Sequence, residues 1–168
     1  VYGYGPDSIR TADLRGRVVV LDFFATTCGS CLQLLPHLNS LQDYFGEKAL
    51  FLVVDRESYT RIKTQLSRLK WMPPLPHLSF VTNDEMLSTL FPYNTIPHEI
   101  VIDANGRIQA ITHAYRITRP VISSVIAGAT LHFPVKKDQI DYSISEPLFY
   151  YGNGGDISQV YLQSTFCH

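Results

Sequence analysis

Val18–Ala25, VVVLDFFA, is apolar at every position except Asp22 and rich in β-branched and aromatic residues. A short run of this kind predicts a strand buried on both faces, as in a parallel sheet covered by helices. Ala49–Asp55, ALFLVVD, predicts a second. The pattern between them changes period. In CLQLLPHLNSLQDYF, Leu34, Leu38, Leu41 and Phe45 recur at intervals of four, three and four, which is a helical stripe. Pro36 falls inside it and is expected to kink it, and Gly46 closes it. The same spacing returns in SYTRIKTQLSRLKWM at Tyr59, Ile62, Leu66 and Leu69, so Trp71, the only tryptophan, is placed in a second helix. Its other face carries Arg61, Lys63, Arg68 and Lys70 and reads as solvated surface.

Pro73, Pro74 and Pro76 end that helix. HLSFVT is a short strand, and DEMLSTLF a short helix with acidic residues in its first turn. Pro92–Thr95 is a loop. EIVID and RIQAITH then form two antiparallel strands around an Asn105-Gly106 turn. Thr118 caps a last helix, with Pro120 in its first turn and Gly128 near its end. Alternating strands and helices imply parallel pairing through right-handed crossovers, and the hairpin adds antiparallel strands. The expected class is α/β: a mixed central sheet with helices on both faces, over residues 1–130. Residues 1–16 read as a lead-in with turn chemistry. Residues 131–168 differ: they are aromatic-rich, lack a helical period and read as an extension that continues past His168. Its GNGG, residues 152–155, is followed by no Lys-Ser/Thr and is a plain turn.

Composition removes several classes of function. Fourteen basic residues against 15 acidic ones leave a net charge of −1, without the basic surplus of a nucleic-acid binder. No apolar run reaches membrane-spanning length. The chain starts at Val1 without a signal-peptide pattern, as a processed chain or a piece of a longer one would. Three cysteines, Cys28, Cys31 and Cys167, are an odd number and argue against a disulfide framework.

The chemistry lies in ATTCGSC. A zinc site wants four ligands, but there is no second Cys-x-x-Cys, and the six histidines are scattered. A redox pair needs only what is present. Cys28 follows a buried strand and opens a helix, where backbone N–H groups carry partial positive charge and stabilise a thiolate. Cys28 is therefore the expected nucleophile. Cys31, one turn on and more buried, is placed to attack a mixed disulfide on Cys28.

VVVLDFFATTCGSC resembles the active-site region of the thioredoxin superfamily. It looks most like the TlpA/ResA branch of extracytoplasmic thiol–disulfide oxidoreductases, where this strand commonly reads close to LDFWATWCGSC. Asp22, six before Cys28, matches the buried acid beside the resolving cysteine. Pro36, five after Cys31, matches the helix-kinking proline. Ile96-Pro97 matches the cis-proline that faces the disulfide. The resemblance covers about residues 14 to 128. It implies a thioredoxin-like three-layer fold with a C-terminal extension, and a reductase of protein or peptide disulfides with no cofactor beyond the Cys28–Cys31 disulfide. It further implies an electron supply from a membrane-bound thiol–disulfide partner and an extracytoplasmic, periplasmic setting, with membrane association in the full-length protein.

On this reading Asp22 accepts the Cys31 proton, because burial raises a carboxyl pKa; a purely structural Asp is the other option. Ile96 offers its backbone to an extended substrate beside Pro97. His98 either tunes the thiolate or selects substrate, or is an ordinary surface loop residue. Thr27 departs from the family, which usually has Trp there, and Phe24 also stands where Trp is common. That removes an apolar docking surface and leaves substrate preference open. Thiol chemistry alone leaves the direction of electron flow open too. Two other readings stay on the page. One is a copper-handling protein of the Sco type, for which His98 is the nearby histidine, although such proteins space the cysteines one residue wider. The other is a redox-silent binding module with a structural disulfide.

Overall fold

A computed structural model describes residues 2–3 and 9–138. Cys167, the GNGG stretch and the aromatic residues from Tyr142 onward lie outside the described residues. Among the described residues six strands form one sheet: β1 (Tyr2–Gly3), β2 (Val18–Phe23), β3 (Ala49–Val54), β4 (Ser79–Val81), β5 (His98–Ile102) and β6 (Ile108–Thr112), in the order β1-β4-β3-β2-β5-β6. β2–β3 and β3–β4 pair in parallel; β2–β5, β5–β6 and β1–β4 pair antiparallel. The helices are α1 (Gly29–Phe45), α2 (Tyr59–Arg68), α3 (Met86–Leu90) and α4 (Arg119–Ile126). None of the helices among the described residues is long and apolar enough to cross a membrane.

The layers follow from chain direction and the two-residue period of strands. The steps β2 to β3 and β3 to β4 move the same way across the sheet, so two right-handed crossovers leave α1 and α2 on one face. Val18, Val20, Phe51, Val53 and Val101 point to that face and pack with Leu35, Leu38, Ile62, Ile122 and Val125 from α1, α2 and α4. Val19, Leu21, Phe23, Leu52 and Ile100 point to the other, where Leu87 of α3 and Phe91 cover them. All six residues of β2 and of β3 are buried, as a doubly covered strand requires.

Three details differ from the pattern-based expectation. The lead-in contributes a strand: Tyr2–Gly3 pair with Phe80 and Ser79 at the sheet edge. The buried stripe of α1 includes Leu35 and not Leu34. Its buried residues are Cys31, Leu35, Leu38, Leu41, Gln42 and Phe45, and counting only apolar positions misses the polar member. α2 stops at Arg68, and Trp71 lies beyond it in a turn, 54% exposed. Proline cannot donate, and it pushes the residue before it away from helical geometry. Ahead of Pro73 the helical bonds give way to tighter turns, from Leu69 N–H to Leu66 C=O and from Met72 N–H to Leu69 C=O.

Gln42 ties α1 to the sheet. Its amide donates to the Gly46 and Ala49 carbonyls at 3.0 and 3.1 Å, and its carbonyl accepts the Phe51 N–H at 2.8 Å. Between them Gly46, at φ +54°, turns the chain in a conformation that disfavours a side chain. Gln42→Leu keeps the volume but orphans buried backbone groups, each worth about 1–3 kcal/mol. The expected loss of stability is about 2 kcal/mol or more. A denaturation midpoint equal to wild type would refute this role for Gln42.

Candidate active site

β2 delivers the chain to the end of the sheet and α1 starts immediately after it. Phe24 N–H still bonds Val54 C=O at 2.9 Å, so the turn leaves from a fixed strand end. Cys28 is the N-cap of α1: its backbone is extended and its Sγ accepts the Cys31 N–H at 3.2 Å. The sulfur occupies the place of a capping oxygen, at the positive end of a 17-residue helix. The Ser30 hydroxyl lies 3.4 Å from the same sulfur. Cys28 and Cys31 form a disulfide across 5.3 Å between Cα atoms. Cys28 is half-buried, whereas Cys31 is completely buried. Of the two residues, Cys28 is the more accessible.

Glu57, just past β3, holds the turn from the side. Its carboxylate accepts the Thr26 N–H at 3.1 Å and pairs with Arg61. Burial pushes the Glu57 carboxyl up, but the Thr26 and Arg61 contacts outweigh it and hold the group below its ordinary range. Sequence reasoning missed this residue, because no local pattern distinguishes it from other surface acids.

The Ile96–Pro97 bond is cis, and the Ile96 carbonyl oxygen lies 3.9 Å from Cys28 Sγ. Thr27 is exposed on the rim, and Ile96 and Pro97 are half-buried beside it. His98 is not a surface loop residue: it is the first residue of β5 and only 2% exposed. Strand alternation turns it to the face away from Cys31, where it packs on Phe23 and Tyr93. Lys136 Nζ lies 3.2 Å from its Nδ1. Burial, followed by the Lys136 charge, pushes His98 down to about 4, so the ring is neutral at physiological pH. Among the described residues no group of three or more His, Cys, Asp or Glu side chains is placed to hold a metal ion.

Asp22 is buried, as its place in an apolar strand implies, and it has a companion. The β2–β5 register sets Glu99 directly opposite Asp22. Alternation puts both on the face of Val20 and Val101, in the core that α1 covers and where Cys31 is buried. Asp22 is 1% exposed and Glu99 0%. Among the described residues no hydroxyl, amide or cationic donor reaches any of their four oxygens. A hydrogen bond between the two carboxyls therefore exists only when one of them carries a proton. Burial lifts Asp22 from 3.8 to about 6, against the lowering effect of that bond. Burial and the neighbouring Asp22 charge lift Glu99 well above the carboxylate range. The pair behaves as a proton-holding dyad of the kind in which like charges cannot both ionise. HEIVI did contain a signal for Glu99, an acid inside an apolar strand, but its partner becomes visible only once register is known.

Residues 10–91 match the family model described as thioredoxin. Of the relatives, NHL repeat-containing protein 2 of Bos taurus is 45% identical over 96 residues, which are 57% of this chain and 11% of that protein. The chain spans similarly little of the chicken and human counterparts, 7% and 6%. Among solved structures, the pneumococcal exposed lipoprotein thioredoxin Etrx1 of Streptococcus pneumoniae aligns with a TM-score of 0.58 at 19% identity, over 70% of this chain and 89% of that one. A thiol:disulfide interchange protein DsbE assignment from Chlorobium tepidum aligns with a TM-score of 0.55 at 23% identity, over 71% and 84%. Both likenesses are of fold. The described part of the chain has a thioredoxin-like fold, and residues 10–91 are similar to the thioredoxin model. That fold contains the Cys28–Cys31 Cys-x-x-Cys pair.

Proposed function

We propose that this chain is a thiol–disulfide oxidoreductase domain that reduces protein or peptide disulfides. The observation that carries the reading is the contrast within the pair: Cys28, half-buried, caps α1 with its sulfur, while Cys31 is sealed in the core. In the reduced protein the Cys28 thiolate attacks one sulfur of a substrate disulfide. A Cys28–substrate bond forms and the other substrate sulfur leaves as a thiolate. Cys31, deprotonated, then attacks Cys28 Sγ; the Cys28–Cys31 bond forms and the second substrate thiolate leaves. Two electrons pass to the substrate, and the product is the disulfide form described above. Asp22, with one proton already shared with Glu99, accepts the proton of Cys31. The Ile96 carbonyl pairs with the extended backbone of the substrate, and Thr27 and Pro97 border the same surface.

The resemblance of VVVLDFFATTCGSC to the TlpA/ResA branch supports a reductase in an extracytoplasmic, periplasmic setting. On that reading a membrane-bound thiol–disulfide donor restores the reduced pair, and the full-length protein is membrane-associated. The fold-level likeness to an exposed lipoprotein thioredoxin and a DsbE-type protein is in keeping with this.

The test is turnover of a peptide disulfide with a dithiol as electron source, alongside the reduction potential of the pair. Steady turnover with a potential near about −270 mV is the expected result. A potential near about −120 mV would assign the opposite direction, and a pair that never turns over would leave a structural disulfide.

A further inference from the structure

The loop between α3 and β5 is held from outside the core of the domain. After α4 the chain returns along β6: Lys136 N–H bonds the Ile111 carbonyl at 2.8 Å, and Leu131 and Phe133 pack against the main core. This delivers two charges to the proline loop. Lys136 Nζ donates to the Thr95 carbonyl at 2.6 Å and pairs with Asp138 Oδ2 at 2.6 Å, and it lies 3.2 Å from His98 Nδ1. Asp138 accepts the backbone N–H groups of Asn94 and Thr95 at 3.1 and 3.3 Å and the Thr95 hydroxyl at 2.8 Å. The side chains of the pair are 2% and 8% exposed. Both backbone directions of Thr95 are thus held, its N–H by Asp138 and its carbonyl by Lys136. The next residue is Ile96, whose carbonyl faces Cys28 Sγ at 3.9 Å.

We propose that Lys136 and Asp138 are positioning residues for substrate recognition: a buried ion pair, supplied by the segment after α4, that holds Asn94–Thr95 so that Ile96 presents its carbonyl to an extended peptide beside Cys28. The substrate class this favours is a disulfide embedded in an extended polypeptide, since a small disulfide has no backbone to pair. The inference rests on the oxidoreductase reading above. It places the specificity determinant outside residues 10–91, the stretch that matches the thioredoxin model. Paired and hydrogen-bonded charges suit this task, because a buried pair keeps its geometry and losing one partner strands the other.

The experiment compares wild type, Lys136→Met, Lys136→Arg and Asp138→Asn for reduction of a peptide disulfide and of a small aromatic disulfide. In Lys136→Met and Asp138→Asn the ratio of kcat/KM for peptide over aromatic disulfide is expected to fall about tenfold, carried by KM, as when backbone hydrogen bonds to a substrate are lost. Lys136→Arg is expected to keep most of the ratio. Amide exchange of Asn94 and Thr95 is read on the oxidised proteins, without turnover, and is expected to accelerate in Asp138→Asn. An unchanged ratio in variants that fold, or unchanged exchange at both amides, overturns the proposal while wild type remains an active reductase. A wild type that reduces neither disulfide overturns the oxidoreductase reading itself and the substrate role with it.

Discussion

Cys31→Ser is expected to convert the protein into a single-use reagent. On the proposed mechanism Cys28 still attacks a disulfide, but the mixed disulfide persists and accumulates as a covalent adduct on Cys28. The size of the effect follows from geometry. Cys31 is held against Cys28, with Cα atoms 5.3 Å apart, inside the first turn of α1. A well-oriented intramolecular group acts at effective concentrations of about 10⁵ M or more, whereas an external thiol is supplied at millimolar levels. Turnover is expected to fall by at least about a thousandfold. Cys28→Ser loses turnover as completely but forms no adduct, because Cys31 is 0% exposed and no external sulfur reaches it. Intact-mass measurement after mixing with a peptide disulfide separates the two variants. Near wild-type turnover by Cys31→Ser would show a one-thiol mechanism and remove Cys31 from the scheme.

Asp22→Asn is expected to stabilise the protein and slow it at the same time. The stability effect follows from linkage. Asp22 takes up its proton near pH 6 in the folded protein and at 3.8 as an ordinary carboxyl. Below 3.8 both states are protonated and the full contribution is present. Between 3.8 and 6 the folded state binds more protons than the unfolded state, so stability falls as pH rises. Above 6 the loss is complete, and for this separation it amounts to about 3 kcal/mol. Glu99, raised further, carries the decline to higher pH in the same direction. Asp22→Asn removes the Asp22 part, so it is expected to be more stable at pH 7 and flatter between pH 4 and 6. Loss of a positioned base costs roughly 10²–10⁴ in rate, which sets the scale for the slower resolution step. Glu99→Gln is informative in another way. Its amide can donate to Asp22, which favours the carboxylate and moves the acidic limb of the pH–rate profile to lower pH. Identical unfolding curves for wild type and Asp22→Asn from pH 4 to 7 would refute the dyad.

The two expectations join in a trade-off. A buried acid pair weakens the fold when ionised, yet proton transfer from a buried thiol needs a base of about this strength. Sites that break the rule of an apolar interior while serving a reaction commonly do so against stability. Asp22 interrupts the otherwise apolar β2 in this way, and Glu99 sits in the buried β5.

Much of this protein is legible from local pattern. The runs VVVLDFFA and ALFLVV, the four-three-four stripe after Cys31 and the Asn105-Gly106 turn announce their elements, because strand and helix periods are properties of neighbouring residues. Cys28 and Cys31 are placed by the same local logic: a strand ends, a helix begins, and the first thiol lands on the N-cap. Polar residues inside the fold resisted such reading. Gln42 belongs to the buried stripe of α1 because two backbone strangers, Ala49 and Phe51, need its amide. His98 follows a proline in what looks like a loop, yet it starts a strand and is buried against Phe23 and Tyr93.

The sequence by itself determined the order of strands and helices from β2 onward, the Cys-x-x-Cys pair and its position at the start of a helix, since each depends on residues within a few places of one another. Tertiary structure alone decided that Glu99 faces Asp22, that His98 turns away from the disulfide, and that Lys136 and Asp138 grip the proline loop. These outcomes depend on strand register and on which face of the sheet a residue takes. A shift of one residue in the register of β5 would send Glu99 and His98 to the opposite faces. Register is set by the summed packing of both faces, to which residues distant in the chain contribute, and no local stretch contains that sum.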